Sequence, residues 1–318
     1  MYDYQAPLRD MQFILSTIAG LDEVASLPNC EEASADLVSA VLEEAGKFAA
    51  GVLAPLNQVG DLQGCRLEDG VVHTPEGWQQ AYDQFRDAGW VGLALPQEYG
   101  GQGLPKLVST PVWEMWFSTN MAFAMLPQLN VGQAEALQIA ASEEQKQIWL
   151  HKVVSGEWGS TMNLTEPQAG SDLAATRTKA VPQADGTYKL FGQKIFISYG
   201  EHELTPNIVH LVLARLPDAP AGVKGLSLFI VPKYLLDAEG NPSTRNDVRC
   251  ISIEHKMGIH GSPTCTLSYG DEGGAMGYLV GEANRGLETM FIMMNEARFG
   301  VGVQGVGLAE RAYQYALN

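Results

Sequence analysis

Residues 162–172 read MNLTEPQAGSD and follow a stretch that becomes strand-like from about Trp158. This segment combines a proline, small residues and the hydroxyls of Thr165 and Ser171. A loop of that kind can turn backbone N–H groups and hydroxyls toward one bound molecule that is anionic or accepts hydrogen bonds. An ordinary β-turn with an Asx cap explains the same residues equally well. The segment alone therefore predicts a loop and leaves its ligand open.

Strand patterns continue on the C-terminal side of this loop. Asp185-Gly186 lies between TRTKAV and TYKLF, and Asp-Gly between two strand-like runs is a hairpin signal. The runs IVHLVLARL and GLSLFIVP are almost entirely apolar, which predicts strands covered on both faces. VRCISIEH and CTLSY extend the pattern. We therefore predict a middle β-domain, a barrel or sandwich, over residues 158–283.

Helical periodicity stands on both sides of the predicted β-domain. Apolar residues recur at helical spacing in residues 1–157, and Ser142 with Gln145 forms a capping box. The spacing is helical again over residues 284–318, where no cap or closing glycine ends the helix. We predict an α+β multidomain protein: an N-terminal all-α domain, the β-domain, and the first helix of an incomplete C-terminal bundle. We also expect the chain to be a truncated part of a longer protein.

The composition excludes several classes of protein. Twenty Lys+Arg against 37 Asp+Glu give a net charge of −17, which argues against a nucleic-acid partner because phosphate binding needs a basic face. Hydrophobic residues make up 46% of the chain, enough for a folded core. No apolar run approaches the ~20 residues needed to cross a bilayer. The four cysteines form no CxxC pair and no leader pattern precedes them, so we predict a cytoplasmic protein with reduced thiols.

Other familiar motifs fail on their context. A GxGxxG match at residues 300–305 lies within a helical pattern, whereas a dinucleotide fingerprint needs a strand before it. Glycines that admit a neighbouring helix explain this match better. An HExxH-like start at His202 has Pro206 at the second ligand position. His255 and His260 have no third ligand at metal spacing. We therefore predict no metal site.

Several motifs together resemble the acyl-CoA dehydrogenase family. LTEPQAGSD is similar to the flavin loop of that family, and GQKIFIS at residues 192–198 is similar to its flavin hairpin. Other matches follow the family's order: LPQEYGGQG at 95–103, GLSLFIVP at 225–232, KMGIHGS at 256–262, and Gly286 and Arg298 on the last helix. The opening YQAPLRDM resembles a large-subunit branch that includes 3-methylmercaptopropionyl-CoA dehydrogenases. The resemblance covers roughly residues 90 to 312.

The resemblance implies an FAD site between the β-domain and the C-terminal bundle. Met162, Leu164 and Thr165 are expected at the edge of the isoalloxazine ring, where backbone N–H groups can stabilise negative charge. In the hairpin, Phe196 is expected to lie against the flavin ring and Ser198 to offer a hydroxyl near flavin N5, and Ile197 between them is also expected to bind the cofactor.

The resemblance also implies residues near the CoA of the substrate: Ser171, Asn295 and Arg298. Many relatives carry Asp at the position of Asn295. Arg298 lies on an apolar helical stripe, where a guanidinium needs a partner. Because the chain is acidic, we expect a local positive patch near the CoA, built from further cations: Arg177, Lys179, Lys194, Arg245 and Arg249.

The implied reaction is α,β-dehydrogenation of an acyl-CoA thioester, in which a carboxylate removes the α-proton and a β-hydride passes to flavin N5. In most relatives that carboxylate is a Glu in the bundle, which would lie beyond residue 318. In others it takes the position of Ala297. Glu296 lies about 200° around the helix from Arg298 and is predicted to be a surface or partner-helix residue. The catalytic base is therefore unassigned.

The family implies a role in fatty acid metabolism, electron-transfer flavoprotein as the acceptor, and a homodimer or tetramer. Two alternatives stay open. The 318 residues can be a non-catalytic fragment that lacks the base, or the protein can be an acyl-CoA oxidase-like flavoprotein that passes electrons to oxygen.

Overall fold

A computed structural model describes residues 4–317. The α-helices of these residues are α1 (Leu8–Phe13), α2 (Leu21–Ala25), α3 (Ala35–Phe48), α4 (Ala54–Gln63), α5 (Trp78–Asp87), α6 (Lys106–Ala140), α7 (Glu143–Gln145), α8 (His151–Val154) and α9 (Gly286–Leu317). π-helical turns lie at Ile14–Ile18, Ala49–Leu53 and Lys146–Leu150, and 3-10 turns at Gln97–Tyr99, Leu173–Ala175 and Val223–Gly225.

The strands are β1 (Arg66–Glu68), β2 (Val71–His73), β3 (Gly159–Asn163), β4 (Lys179–Pro182), β5 (Tyr188–Ser198), β6 (Ile208–Arg215), β7 (Leu226–Pro232), β8 (Tyr234–Leu236), β9 (Pro242–Arg245), β10 (Val248–Ile253), β11 (Thr264–Tyr269) and β12 (Ala275–Val280). The order of helices, strands and a last helix confirms the predicted fold class.

The N-terminal region is built around α6, whose central aromatic residues pack against α5. Phe85 of α5 makes edge contacts with Trp116 and Phe123, at centroid distances of 4.6 and 5.7 Å. α6 departs from helical geometry at Asn120, whose side-chain oxygen accepts the Phe123 amide at 3.1 Å. This side chain caps the second half of the helix.

The prediction that residues 1–157 are all helical is wrong at one hairpin. β1 and β2 pair antiparallel around an Asp69-Gly70 turn in which both residues have positive φ, 50° and 79°. Asp-Gly is a favoured sequence for such a tight turn. The hairpin was missed because each strand has three residues and only Val72 is buried, so no alternation is visible.

The β-domain contains a closed circuit of strands. β5 pairs with β12, β12 with β7, and β7 with β6, all antiparallel, and β4 connects β6 back to β5. β10, β11 and β3 extend the sheet. Every residue of β7 is buried, as the apolar pattern predicts. The closed circuit fixes β5, and parallel pairing with β6 fixes β3. Both strands carry parts of the predicted flavin segments.

The last helix packs along α6. A Cβ at Gly300 would collide with Gln128, and one at Gly307 would lie 3.0 Å from the Glu114 carbonyl oxygen. Gly302 and Gly305 instead face open space. The predicted close helix approach is thus confirmed at Gly300 and supplemented by Gly307. Other positions of α9 expose apolar side chains: Phe291, Phe299, Val301, Val306 and Leu308.

No helix within residues 4–317 combines the length and apolar character needed to span a membrane.

Candidate functional site

The structure joins the two predicted flavin segments through a β-bulge in β5. Leu267 of β11 is opposite Lys194 and Cys265 is opposite Ile197, so two residues of β5 face one residue of β11. The bulged Ile195 amide donates to the Thr165 carbonyl at 2.9 Å. A bulge of this kind commonly redirects side chains beside a functional site. The loop after β3 and the end of β5 therefore form one hydrogen-bonded unit.

Phe196 is the residue that the bulge turns out of the sheet. Its φ is +61°, an uncommon conformation for an aromatic residue, and its side chain is 58% exposed. Strained backbone of this kind concentrates at ligand sites. The next residue, Ile197, is only 2% exposed and packs in the barrel core. Any contact between Ile197 and a cofactor would therefore be made by its backbone, because its side chain is buried.

Thr165 and Ser198 offer hydrogen-bond donors that the protein does not use. In residues 4–317 the Thr165 amide, the Thr165 hydroxyl and the Ser198 hydroxyl have no protein acceptor. The Leu164 carbonyl accepts a hydrogen bond from Lys194, and the N–H of a trans peptide points opposite to its carbonyl. The Thr165 N–H is therefore directed away from Lys194. These donors fit a ligand with hydrogen-bond acceptors along one edge.

The remaining loop residues join this site to the last helix. Met162 and Leu164 are half-buried and pack on the same core cluster as Leu287, Ile292 and Met294 of α9. The loop after β3 and the first half of α9 thus pack against the same hydrophobic core. This arrangement fits the expected position of FAD beside the bundle.

A buried ion pair lies directly under the loop. Lys194 is completely buried, and its ammonium group is 2.8 Å from Glu166, which is 3% exposed. Burial lowers the pKa of Lys194 to about 8, against the attraction of the Glu166 carboxylate, which raises it. Burial acts to raise the pKa of Glu166, but the Lys194 charge and several hydrogen bonds outweigh it and hold that pKa below its ordinary value.

Two of the expected substrate cations are engaged elsewhere. Lys194 is bound to Glu166, and Arg245 donates to Glu201 at 2.7 Å. The expectation that both contribute to a positive patch is wrong, because each neutralises a buried carboxylate. Arg249 lies 4.0 Å from Glu272 on the surface.

The predicted CoA residues lie on exposed surface. Ser171 is exposed in the loop before a 3-10 turn that Asp172 caps through the Ala174 amide at 2.9 Å. Arg298 is exposed on α9, and its Nη1 donates to Asn295 Oδ1 at 3.2 Å. Asn295 is thus the partner of the guanidinium in the apolar stripe. No hydrogen bond or ion pair joins Ser171 to Arg298 in the part of the chain that the structure describes.

Glu296 is held by the neighbouring helix, as predicted. Lys106 of α6 contacts Glu296 at 2.5 Å and Glu135 at 2.6 Å. Burial acts to lower the pKa of Lys106, but hydrogen bonds to both carboxylates outweigh it and raise that pKa. Glu296 is therefore already engaged by a cation of the neighbouring helix. Within residues 4–317 no group of three His, Cys, Asp or Glu side chains is placed to hold a metal.

Sequence reasoning missed the residues that hold the site from below. Glu166 and Lys194 lie inside the quoted motifs, but their pairing across 28 positions has no local signal. Tyr199, next to Ser198, is fully buried with φ +50°, and its hydroxyl donates to the Ala122 carbonyl at 2.7 Å. Tyr199 therefore fixes the end of β5 against the kinked segment of α6.

Comparison with known proteins matches this architecture. The family model described as acyl-CoA dehydrogenase, N-terminal domain, matches residues 38–157, and the acyl-CoA dehydrogenase, middle domain, matches residues 161–271. A 3-methylmercaptopropionyl-CoA dehydrogenase of Ruegeria pomeroyi is 53% identical over 99% of this chain and 53% of its own length. A butyryl-CoA dehydrogenase of Syntrophomonas wolfei is 37% identical over 99% of this chain and 53% of its own length.

A solved structure of an acyl-CoA dehydrogenase complexed with FAD from Bacillus anthracis superposes with a TM-score of 0.69 at 27% identity, covering 87% of this chain and 43% of that one. The chain spans about half the length, 53%, of the curated relatives it matches. Both matched domains, in this order and on this fold, show that the chain belongs to the acyl-CoA dehydrogenase family.

Proposed function

We propose that this chain provides the FAD-binding part of an enzyme that dehydrogenates an acyl-CoA thioester between its α and β carbons. The observation that carries the proposal is the joined pair of flavin segments, in which unused donors of Thr165 and Ser198 accompany the outward-turned ring of Phe196. Family membership and the FAD complex of the related structure support it.

The residues present fit FAD in a specific way. When bound, FAD supplies the acceptor for the substrate hydride. The Thr165 amide and hydroxyl would donate to one edge of the ring system, and Ser198 would donate near its reacting nitrogen. Phe196 would cover a ring face and exclude water from it. Met162 and Leu164 supply the apolar floor of the loop.

Substrate contacts are proposed for the exposed polar residues. Arg298, with Asn295 beside it, would bind the CoA part of the thioester, and Ser171 would donate to it from the loop. The acyl groups named for the two relatives, 3-methylmercaptopropionyl and butyryl, are the first substrates to test. We further propose electron-transfer flavoprotein as the acceptor, a homodimer or tetramer, a cytoplasmic location, and domain boundaries after residues 157 and 283.

A second candidate is a chain that binds FAD without turnover. Glu296, the carboxylate two residues from Arg298, is bound by Lys106, and Ala297 follows it. In that case the 318 residues would bind flavin while lacking the proton acceptor.

One experiment tests both candidates. The complete gene product and the 318-residue chain are each purified with FAD, and the visible flavin absorption is followed anaerobically as each acyl-CoA is added. We expect flavin binding by both proteins and bleaching at least by the complete product. Bleaching of the 318-residue chain would exclude the second candidate. A complete product that retains no flavin would contradict the proposed function.

A further inference from the structure

The buried Glu166–Lys194 pair is joined directly to the proposed flavin loop, because Lys194 donates to the Leu164 carbonyl and Glu166 is itself a residue of that loop. We propose that Lys194 and Glu166 are positioning residues for FAD: Lys194 holds the Leu164 carbonyl inward and thereby presents the Thr165 N–H to the flavin. This inference rests on the proposed function, because it concerns the orientation of the same loop.

The first step is the orientation of one peptide group. Lys194 Nζ donates to the Leu164 carbonyl at 2.9 Å from inside the barrel. The following carbonyl, that of Thr165, is fixed by the bulged Ile195 amide at 2.9 Å. Two consecutive carbonyls of the loop thus point toward β5. The Thr165 N–H, which lies between these two carbonyls, is directed away from Lys194 and has no protein acceptor within residues 4–317.

The second step is the fixing of Lys194 itself. A lysine side chain has four rotatable bonds and can hold a carbonyl precisely in place only when its own position is restrained. Glu166 Oε1 supplies that restraint at 2.8 Å and also accepts from the Thr178 hydroxyl at 2.6 Å. Its other oxygen accepts the Arg177 amide at 2.7 Å and the Gln168 amide group at 2.6 Å. The carboxylate is therefore rigid before any ligand binds.

A role of the Glu166–Lys194 pair in orienting the Leu164 carbonyl can be distinguished from a role in folding stability. Replacing a buried ion pair by apolar residues of similar volume is often neutral for folding or even stabilising. A pair kept only for stability has such an apolar substitute, whereas a pair that holds a carbonyl has none, since no apolar side chain can donate to Leu164. The double variant Glu166→Leu/Lys194→Met is therefore informative, because it removes the donor without leaving an unpaired buried charge. It also removes the acceptor of the Arg177 amide and the Thr178 hydroxyl, so its unfolding is measured alongside its FAD binding.

The test measures FAD affinity and the reduction midpoint potential of bound flavin in the complete gene product, with thermal unfolding as the folding control. For Glu166→Leu/Lys194→Met we expect a folded protein that binds FAD up to about tenfold more weakly, the loss that one hydrogen bond from a neutral backbone amide supports. We also expect a lower midpoint potential, because the Thr165 N–H no longer faces the site where negative charge develops.

Lys194→Met alone is the second variant and is judged by the same criteria if the double variant does not fold. Lys152→Met is the matched control, since Lys152 pairs with Glu157 at 2.7 Å on the exposed surface of the helical domain. We expect it to change neither affinity nor potential.

The outcomes separate the two proposals. An unaltered protein without FAD binding contradicts the proposed function. The positioning role is overturned if the unaltered protein binds FAD and the folded Glu166→Leu/Lys194→Met variant keeps the same FAD affinity and the same flavin midpoint potential. That result leaves the proposed function intact.

Discussion

Glu166 and Glu201 are both almost fully buried carboxylates that pair with a lysine, yet they are built differently. Glu166 is bound by one cation and by neutral donors from Gln168, Arg177 and Thr178. Glu201 is bound by two cations, Lys233 and Arg245. The first carboxylate lies beneath an exposed loop, whereas the second lies in the buried start of the segment that connects β5 to β6.

The difference lies in what each lysine holds besides its carboxylate. Lys194 reaches the carbonyl of Leu164, in the loop with unused donors. Lys233 reaches the carbonyl of His202 at 2.9 Å, a residue that is itself fully buried. The comparison teaches that burial and charge alone do not mark a functional pair. A functional pair is marked by the backbone group that it orients.

The largest effect is expected at the Glu201 centre. Glu201→Leu leaves Lys233 buried without a counter-ion and should lower the free energy of unfolding by about 3–5 kcal/mol. Urea denaturation measures this loss. The folded fraction should bind FAD as before, because within residues 4–317 the Glu201 carboxylate makes its hydrogen bonds and ion pairs with Lys233, Arg245 and the His202 amide and not with residues 162–172. A folded Glu201→Leu protein with weakened FAD binding would remove the contrast between the two centres.

A smaller decrease in the free energy of unfolding is expected when Glu166 loses one neutral hydrogen-bond donor. Thr178→Val deletes the hydroxyl that donates to Glu166 Oε1 at 2.6 Å. A hydrogen bond to a buried charged group stabilises by about 1.5–3 kcal/mol, so unfolding should become easier by that amount. Urea denaturation gives the value, and Thr187→Val, in an exposed turn, is the control. Equal effects of the two variants would argue against a tightly restrained Glu166.

Acidification should remove the contribution of the Glu166 carboxylate to the free energy of unfolding. The pKa of Glu166 is held below its ordinary value of 4.5, so the folded state binds fewer protons than the unfolded state near that pH. The contribution of Glu166 to stability is therefore present above that value and is lost as pH falls through the folded-state pKa. Thermal unfolding between about pH 6 and 3 measures it. Glu166→Gln should show a shallower dependence, and an unchanged dependence would contradict the assignment.

The smallest effect is expected at an exposed pair. Lys152 and Glu157 are 2.7 Å apart with side chains 39% and 42% exposed. Exposed pairs contribute about 0–1 kcal/mol, so Glu157→Gln should leave the free energy of unfolding nearly unchanged. Urea denaturation in low and high salt measures it. A loss as large as that of Thr178→Val would show that distance alone, and not burial, sets the strength of these pairs.

Much of the fold could be predicted from sequence because its signals are local. The capping box at Ser142, the Asp185-Gly186 hairpin and the apolar runs of β6 and β7 each depend on residues a few positions apart. The prediction that Thr165 and Ser198 share one site came from a resemblance, which carries three-dimensional information that periodicity lacks.

The remaining features depend on contacts between distant residues. Lys194 and Arg245 read as free cations in the sequence, but their carboxylates lie 28 and 44 positions away. The bulge that turns Phe196 outward depends on the register between β5 and β11, which no single strand reveals. Sequence therefore supplied the candidate groups, while pairing between distant residues determined which of them have no protein partner within residues 4–317.

The most direct test of the account is a crystal structure of the complete gene product grown with FAD. We predict that the isoalloxazine ring lies between Thr165 and Ser198, with the Thr165 amide within hydrogen-bond distance of its edge and Phe196 against a face. A ring bound elsewhere, or protein side chains filling the space between Thr165 and Ser198, would contradict the account.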